Sequence, residues 1–126
     1  MQKLEPVLQA AAAASSKKAE RIVILDVSQQ LVITDHFVIC SGNTERQVRT
    51  IADEVEKRLA EGGLKPYRRE GKTEGRWVLL DYVDFVVHVF QAEDRDYYNL
   101  ERLWADAPVV EFDDGDGEEN AAASGS

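Results

Sequence analysis

The sequence reads as one α/β domain, a mixed sheet of about five strands with helices mainly on one face. Three features point there. A capped, strongly amphipathic helix at 44–63 separates two groups of short strands rich in Val, Ile and Leu, an order that favours a crossover and hence mixed strand directions. The run Trp77–Phe90 reads as two apolar strands joined by an Asp-rich turn. The chain has 126 residues, 44% of them hydrophobic, enough for one core and short for two.

Residues 3–20 predict a first helix. Pro6 is tolerated in an opening turn, Leu4, Val7, Leu8 and Ala11 share a face, and Lys17 and Lys18 suit the negative end of the helix dipole. Arg21–Val27 reads as a strand, 28–30 as a turn, and Leu31–Cys40 as a second strand interrupted at Thr34-Asp35. Ser41-Gly42 ends it. Thr44 with Gln47 has the spacing of a capping box, and Val48, Ile51, Val55 and Leu59 form an apolar stripe. Gly62-Gly63 closes that helix, since glycine enters a left-handed cap freely.

Lys65–Glu70 predicts a strand, Gly71–Gly75 a turn, and Trp77–Leu80 with Phe85–Phe90 a hairpin. Arg95–Trp104 reads as a final aromatic helix capped by Asp94, with Tyr97, Leu100 and Trp104 as its packing stripe, and Pro108 stops it. The folded domain is expected to span 1–110. Residues 111–126, acidic and then rich in Ala, Gly and Ser, read as a disordered tail.

Charge narrows the function. The net charge is −9, but six acids and no base lie from Glu111 onward, leaving 18 acids against 15 bases in the rest. A mildly acidic body argues against binding through nucleic-acid phosphate and permits a basic protein partner. The basic cluster Lys65, Arg68, Arg69, Lys72 and Arg76 has two readings: a solvated edge hairpin protected by charge, or a local contact with RNA phosphate beside a protein target. One cysteine, Cys40, excludes an internal disulfide and fits a reducing cytoplasm. With only His36 and His88 beside it, no zinc-binding pattern arises. No run of 18 apolar residues is present to span a membrane.

An enzyme reading finds little to work with. Ser41-Gly42, after a strand and before a helix, occupies a place where phosphoryl-handling folds offer backbone N–H groups to an anion. A metal-dependent nucleotidyl transferase would also need acids on an adjacent strand to hold ions about 3.5–4 Å apart. Asp53, Glu54 and Glu56 read instead as a solvated helix face, and Asp81 and Asp84 as turn residues. Cys40 and His36, four apart on a strand, stand about 13 Å apart, too far for a nucleophile pair. His88 shares a strand face with Val86 and Phe90, either as a core histidine or as a contact on an open sheet face. No cofactor or metal is expected. Trp77, Tyr82, Tyr97, Tyr98 and Trp104 are the aromatics that would anchor an interface wherever they are exposed.

Several segments together resemble one family, the ribosomal silencing factors, also called Iojap-like proteins. They are Thr34–Gly42, Arg46-Gln47-Val48, Glu70-Gly71, Trp77–Tyr82, Val87–Phe90, and Arg95 with Tyr98, Leu100, Glu101, Leu103 and Trp104. The likeness covers about Ala19 to Asp106. Val83 departs from it, where the family usually has glycine. The resemblance implies a nucleotidyltransferase-like fold without the catalytic acids. It implies a repressor that binds the large ribosomal subunit at ribosomal protein L-fourteen and blocks joining of the small subunit when nutrients are scarce. Organelle relatives take part in ribosome assembly. On that reading Trp77, Leu79, His88 and Phe90 are the expected contacts from the sheet, with Tyr97, Tyr98 and Glu101 from the last helix. Two other readings stay open: a nucleotide-binding relic of a transferase near Ser41, and a module that pairs with a second copy of itself.

Overall fold

The computed structural model describes residues 4–112. Its elements are α1 (Leu4–Ser16), β1 (Glu20–Asp26), β2 (His36–Gly42), α2 (Glu45–Glu61), β3 (Arg68–Glu70), β4 (Trp77–Asp81), β5 (Phe85–Gln91), α3 (Ala92–Tyr98), α4 (Leu100–Leu103) and β6 (Val109–Val110). The strands form one sheet in the order β3-β4-β5-β2-β1-β6. The central pair, β2 and β5, is parallel, from His36 opposite Phe85 to Gly42 opposite Gln91. All other neighbours are antiparallel. The α/β expectation with a mixed sheet therefore holds, with six strands in place of about five.

Strand alternation sorts the core into two faces. Val38 and Cys40 of β2, Val78 and Leu80 of β4, and Val87 and Val89 of β5 pack with α1 and α2. The alternate residues Phe37, Ile39 and Phe90 build a second cluster, closed by Leu100, Trp104 and Ala107 from the C-terminal segment. Helices thus cover both faces: α1 and α2 fully on one, α3 and α4 partly on the other. In α1, Ala10, Ala11, Ala13 and Ala14 are wholly buried, and their small side chains suit close approach to α2.

The second helix follows its sequence signals closely. Thr44 Oγ1 accepts from the Gln47 amide at 3.0 Å, whereas the Gln47 side chain reaches one residue further back than a standard box, to the Asn43 N–H at 2.8 Å. At the far end Leu64 N–H meets Leu59 C=O and Gly63 N–H meets Ala60 C=O, the paired bonds of a Schellman cap with Gly63 at φ +88°.

Other boundaries differ, each for a physical reason. β2 starts at His36, not Leu31, because after one last bond from Val27 N–H to Asp35 C=O the Val27 carbonyl is taken by the turn amides of Gln30 and Leu31; Val32 and Ile33 are exposed. β3 shrinks to Arg68–Glu70, since Pro66 has no N–H for the ladder. α1 stops at Ser16, leaving Lys17 and Lys18 beyond its last turn, with Lys18 at φ 68°. Asp94 lies inside α3, whose N-cap is Gln91, and pairs with Arg76 instead. The single last helix is broken at Asn99, a residue that tolerates the left-handed region, at φ 51°. The stripe Tyr97–Leu100–Trp104 is broken with it, leaving Tyr97 exposed. Beyond Pro108, Val109 and Val110 pair with Leu25 and Ile24 as β6. Of the expected tail, 113–126 lie outside the described residues.

The hairpin tip is strained. Val83 sits at φ 75°, Asp84 N–H bonds Tyr82 C=O at 2.9 Å, and Asp81 Oδ1 takes the Val83 N–H at 2.8 Å. This is the rare γ-turn of positive φ, costly for a β-branched residue. Val83 is half exposed, so little burial is lost on removing its side chain. Val83→Gly should raise stability by about 1 kcal/mol, lifting the melting midpoint by about 4 °C. An unchanged or lower midpoint would show that the turn holds no such strain.

Candidate functional site

The β4–β5 register sets Trp77 opposite Phe90 and Leu79 opposite His88. All four side chains stand on the face away from α1 and α2. From β5 the chain turns directly into α3, which returns over this face and brings Tyr98 onto Trp77. The Trp77 ring stacks on Phe90 with centroids 4.7 Å apart and meets Tyr98 at 4.8 Å; Tyr97 stands edge-on to Tyr98 at 5.0 Å. Trp77 Nε1–H donates to His88 Nδ1 at 3.2 Å, which fixes the indole and assigns the imidazole proton to Nε2. Gly71 lies behind: at φ +88°, a Cβ there would meet the Trp77 carbonyl oxygen at 2.0 Å. Only glycine lets the 71–75 turn lie against this strand.

The expected contact residues divide by depth. Tyr97 and Tyr98 are exposed, at 79% and 49%, and Trp77 and Leu79 are partly so. Phe90 is completely buried and His88 nearly so. They form a floor that holds Trp77. Glu101 is turned inward onto Arg95. One residue not singled out as a contact is exposed as well: Leu103 of α4, at 72%. Its place outside the stripe of Tyr97, Leu100 and Trp104 was the available signal. Together Trp77, Leu79, Tyr97 and Tyr98 give this face an exposed apolar character carried on a rigid layer.

Arg95 secures that layer. Its guanidinium is almost fully buried, with Nε donating to Glu101 Oε2 at 3.1 Å and Nη2 bonding the same oxygen. Nη1 reaches the Glu20 carbonyl at 3.3 Å and Ser41 Oγ at 3.4 Å. A bulge between Glu20 and Val23, with Arg21 at φ 54°, gives that end of β1 its irregular path. Burial works against ionisation of Glu101, but the Arg95 hydrogen bond and charge outweigh it and hold the carboxyl below its usual range.

His88 carries a measurable consequence. Burial lowers its pKa from 6.5 to about 4, so the ring is neutral in the folded state. Nε2 has no hydrogen-bond partner among the described residues, and the Phe37 ring stands edge-on at 4.8 Å. The unfolded chain takes up a proton near pH 6.5 and the folded chain only near 4. Stability present above 6.5 is therefore lost as pH falls toward 4, by about 2 kcal/mol at pH 5. His88→Gln should flatten that part of the profile. Identical urea-unfolding profiles for the parent and this variant between pH 7 and 5 would exclude the assignment.

The basic cluster is laced with carboxylates. Arg68 lies 3.4 Å from Asp81 and 3.5 Å from Glu70, Arg69 3.3 Å from Glu56, and Lys72 pairs with Asp53 and with Glu56 at 3.6 Å. Arg76 is bidentate to Asp94 at 2.9 and 3.1 Å. Lys65 alone of the five has no carboxylate partner among the described residues. The residues weighed for chemistry are also occupied. Ser41 Oγ donates to the Glu20 carbonyl at 3.2 Å, and burial pushes the Cys40 thiol up to about 12, far from a reactive thiolate. Among the described residues no helix is long and apolar enough to cross a membrane.

Comparison with known proteins points in one direction. A family model described as "Ribosomal silencing factor during starvation" matches residues 1–126. The protein "Ribosomal silencing factor RsfS" of Bacillus subtilis is 47% identical over 106 residues, 84% of this chain and 90% of the relative. A mouse protein named "Mitochondrial assembly of ribosomal large subunit protein 1" is 31% identical over 101 residues, 78% of this chain and 43% of the relative. A crystal structure from Bacillus halodurans superposes with a TM-score of 0.78 at 44% identity, covering 87% of this chain and all of that one.

Proposed function

The chain belongs to the ribosomal silencing factor family, and from there we propose that it represses translation in the cytoplasm by occupying the large ribosomal subunit. In this reading its aromatic face seats on ribosomal protein L-fourteen, and its body stands where the small subunit would dock. The observation that carries the reading is the partly uncovered aromatic set Trp77, Tyr97 and Tyr98, fixed from beneath by His88, Phe90 and Arg95. Exposed, immobilised aromatics are what strong interface anchors require, because they bury large area at little further cost in ordering. The mouse relative's name ties that protein to the large ribosomal subunit, which supports the choice of particle.

Size makes obstruction sufficient. A folded chain of this mass exposes about 6,700 Å², and a standard interface takes about 800 Å² from each side. Most of the surface is left to project as an obstacle, and no covalent step is involved. A mildly acidic body favours a basic ribosomal protein over the RNA around it. Any contact of Lys65, Arg68 and Arg69 with ribosomal RNA is secondary, because Arg68 and Arg69 already hold carboxylates. The same apolar surface also suits a second copy of the chain, so a homodimer would compete with the subunit for it. Light scattering across a dilution series reads that competition.

Tagged protein added to an extract should sediment with free large subunits on a sucrose gradient. Added before purified subunits are mixed, it should lower the yield of complete ribosomes. Migration only at the top of the gradient, with ribosome assembly unaffected, would end this reading.

A further inference from the structure

A recess of about 290 Å³ opens beside the aromatic layer, lined by Gly71, Glu74, Arg76, Trp77, Asp94 and Tyr98. We propose that it is a seat for one arginine side chain of the partner, its guanidinium laid against the Trp77 and Tyr98 rings and drawn in by Glu74. The inference rests on the partner-binding reading above and names the chemistry that fills this part of the surface.

Charge decides the class of ligand. Asp94 and Arg76 lining the recess neutralise each other through two hydrogen bonds. Glu74 is exposed and has no hydrogen bond or ion pair among the described residues, so one negative charge is left over. Glu45 and Glu93 also act on Arg76; the neighbouring cation Arg49 is tied to the Thr73 carbonyl at 3.2 Å and is not among the residues that line the recess. Among the lining residues an anionic ligand would find no unpaired cation. A cation gains both the Glu74 carboxylate and the aromatic surface that Trp77 and Tyr98 turn to the recess.

Shape favours guanidinium over ammonium. The Trp77 and Tyr98 rings touch, with centroids 4.8 Å apart, and form one aromatic wall of the recess against which a flat group can lie. A guanidinium is planar and weakly hydrated, so it stacks on an indole at a smaller desolvation cost than an ammonium. That wall is also fixed before binding. His88 fixes the Trp77 indole, Tyr97 abuts Tyr98 edge-on, and Gly71 braces the Trp77 backbone.

The test uses the full chain labelled with nitrogen-15, its two tryptophan indole signals told apart with Trp104→Phe. N-acetyl-arginine methylamide should shift the Trp77 signal saturably; the neutral citrulline counterpart should not, and the lysine counterpart should do so more weakly. Glu74→Gln should raise the half-saturating concentration several-fold, and Glu74→Lys should lower affinity for purified large subunits at least tenfold with an unchanged melting midpoint. Equal shifts from the arginine and citrulline probes overturn the proposal, as does Glu74→Lys binding subunits like the parent. A parent chain that takes the arginine probe yet ignores large subunits keeps the seat and removes the ribosome as its partner.

Discussion

Purified large subunits should bind the Trp77→Ala/Tyr98→Ala double variant about a hundredfold or more weakly than the parent, a loss of about 3 kcal/mol. Tyr98 is half exposed, so closing a partner over it removes about 100 Å² of ring from water, worth about 2.5 kcal/mol at most. Trp77 adds its own exposed part and the wall of the acidic recess. Truncating Trp77 also uncovers Phe90 and leaves His88 Nδ1 without its donor, so part of the measured effect is structural. Tyr98→Ala alone separates the two, because its ring lies on the outside of the layer. That single variant should keep the parent's melting midpoint within a few degrees and still lose about tenfold in binding. Parental binding by the folded double variant would place the interface elsewhere on the molecule.

How much of this was readable beforehand depended on how local the signal was. α2 was readable in full, because Thr44, Gln47 and Gly63 satisfy groups within one turn of themselves. Sheet membership was not. Leu31-Val32-Ile33 looks as strand-like as Val109-Val110, yet only the latter lies beside a free edge of β1. Apolar composition signals a wish for burial, and pairing geometry decides whether it is granted. The break at Asn99 was within reach, since asparagine is among the few residues at ease with positive φ, but a regular stripe of Tyr97, Leu100 and Trp104 concealed it.

The site shows the same division. Alternation correctly grouped Trp77, Leu79, His88 and Phe90 on one face. It carries no information on depth, which is fixed by α3 and α4 folding back over the sheet. That return buries Phe90 and His88 while leaving the tyrosines exposed. Arg95 was the least visible of all. An arginine six residues before a glutamate matches no helical pairing, and the pair forms only because the chain kinks at Asn99 between them.

Arg95→Met should cost about 3 kcal/mol of stability and lower the melting midpoint by about 12 °C. The substitution nearly preserves volume, so the loss is electrostatic in origin. It leaves the part-buried Glu101 carboxylate without its donor and reduces the Glu20 carbonyl to the single bond from Ser41 Oγ. Removal of one partner from a buried pair costs 3–5 kcal/mol; the lower end applies because the Glu101 side chain keeps 28% exposure. Acid titration gives an independent signature. The Glu101 carboxyl is held below its ordinary 4.5, so its contribution is present above that value and fades as pH falls through the lowered one. Arg95→Met should lack this fade, which begins at about 4.5, where the window governed by His88 is closing. Because the guanidinium ties α3 and α4 to the ends of β1 and β2, large-subunit binding should fall together with stability. A variant that melts like the parent but fails to bind would move Arg95 from the scaffold to the interface; one that melts and binds like the parent would deny it both roles.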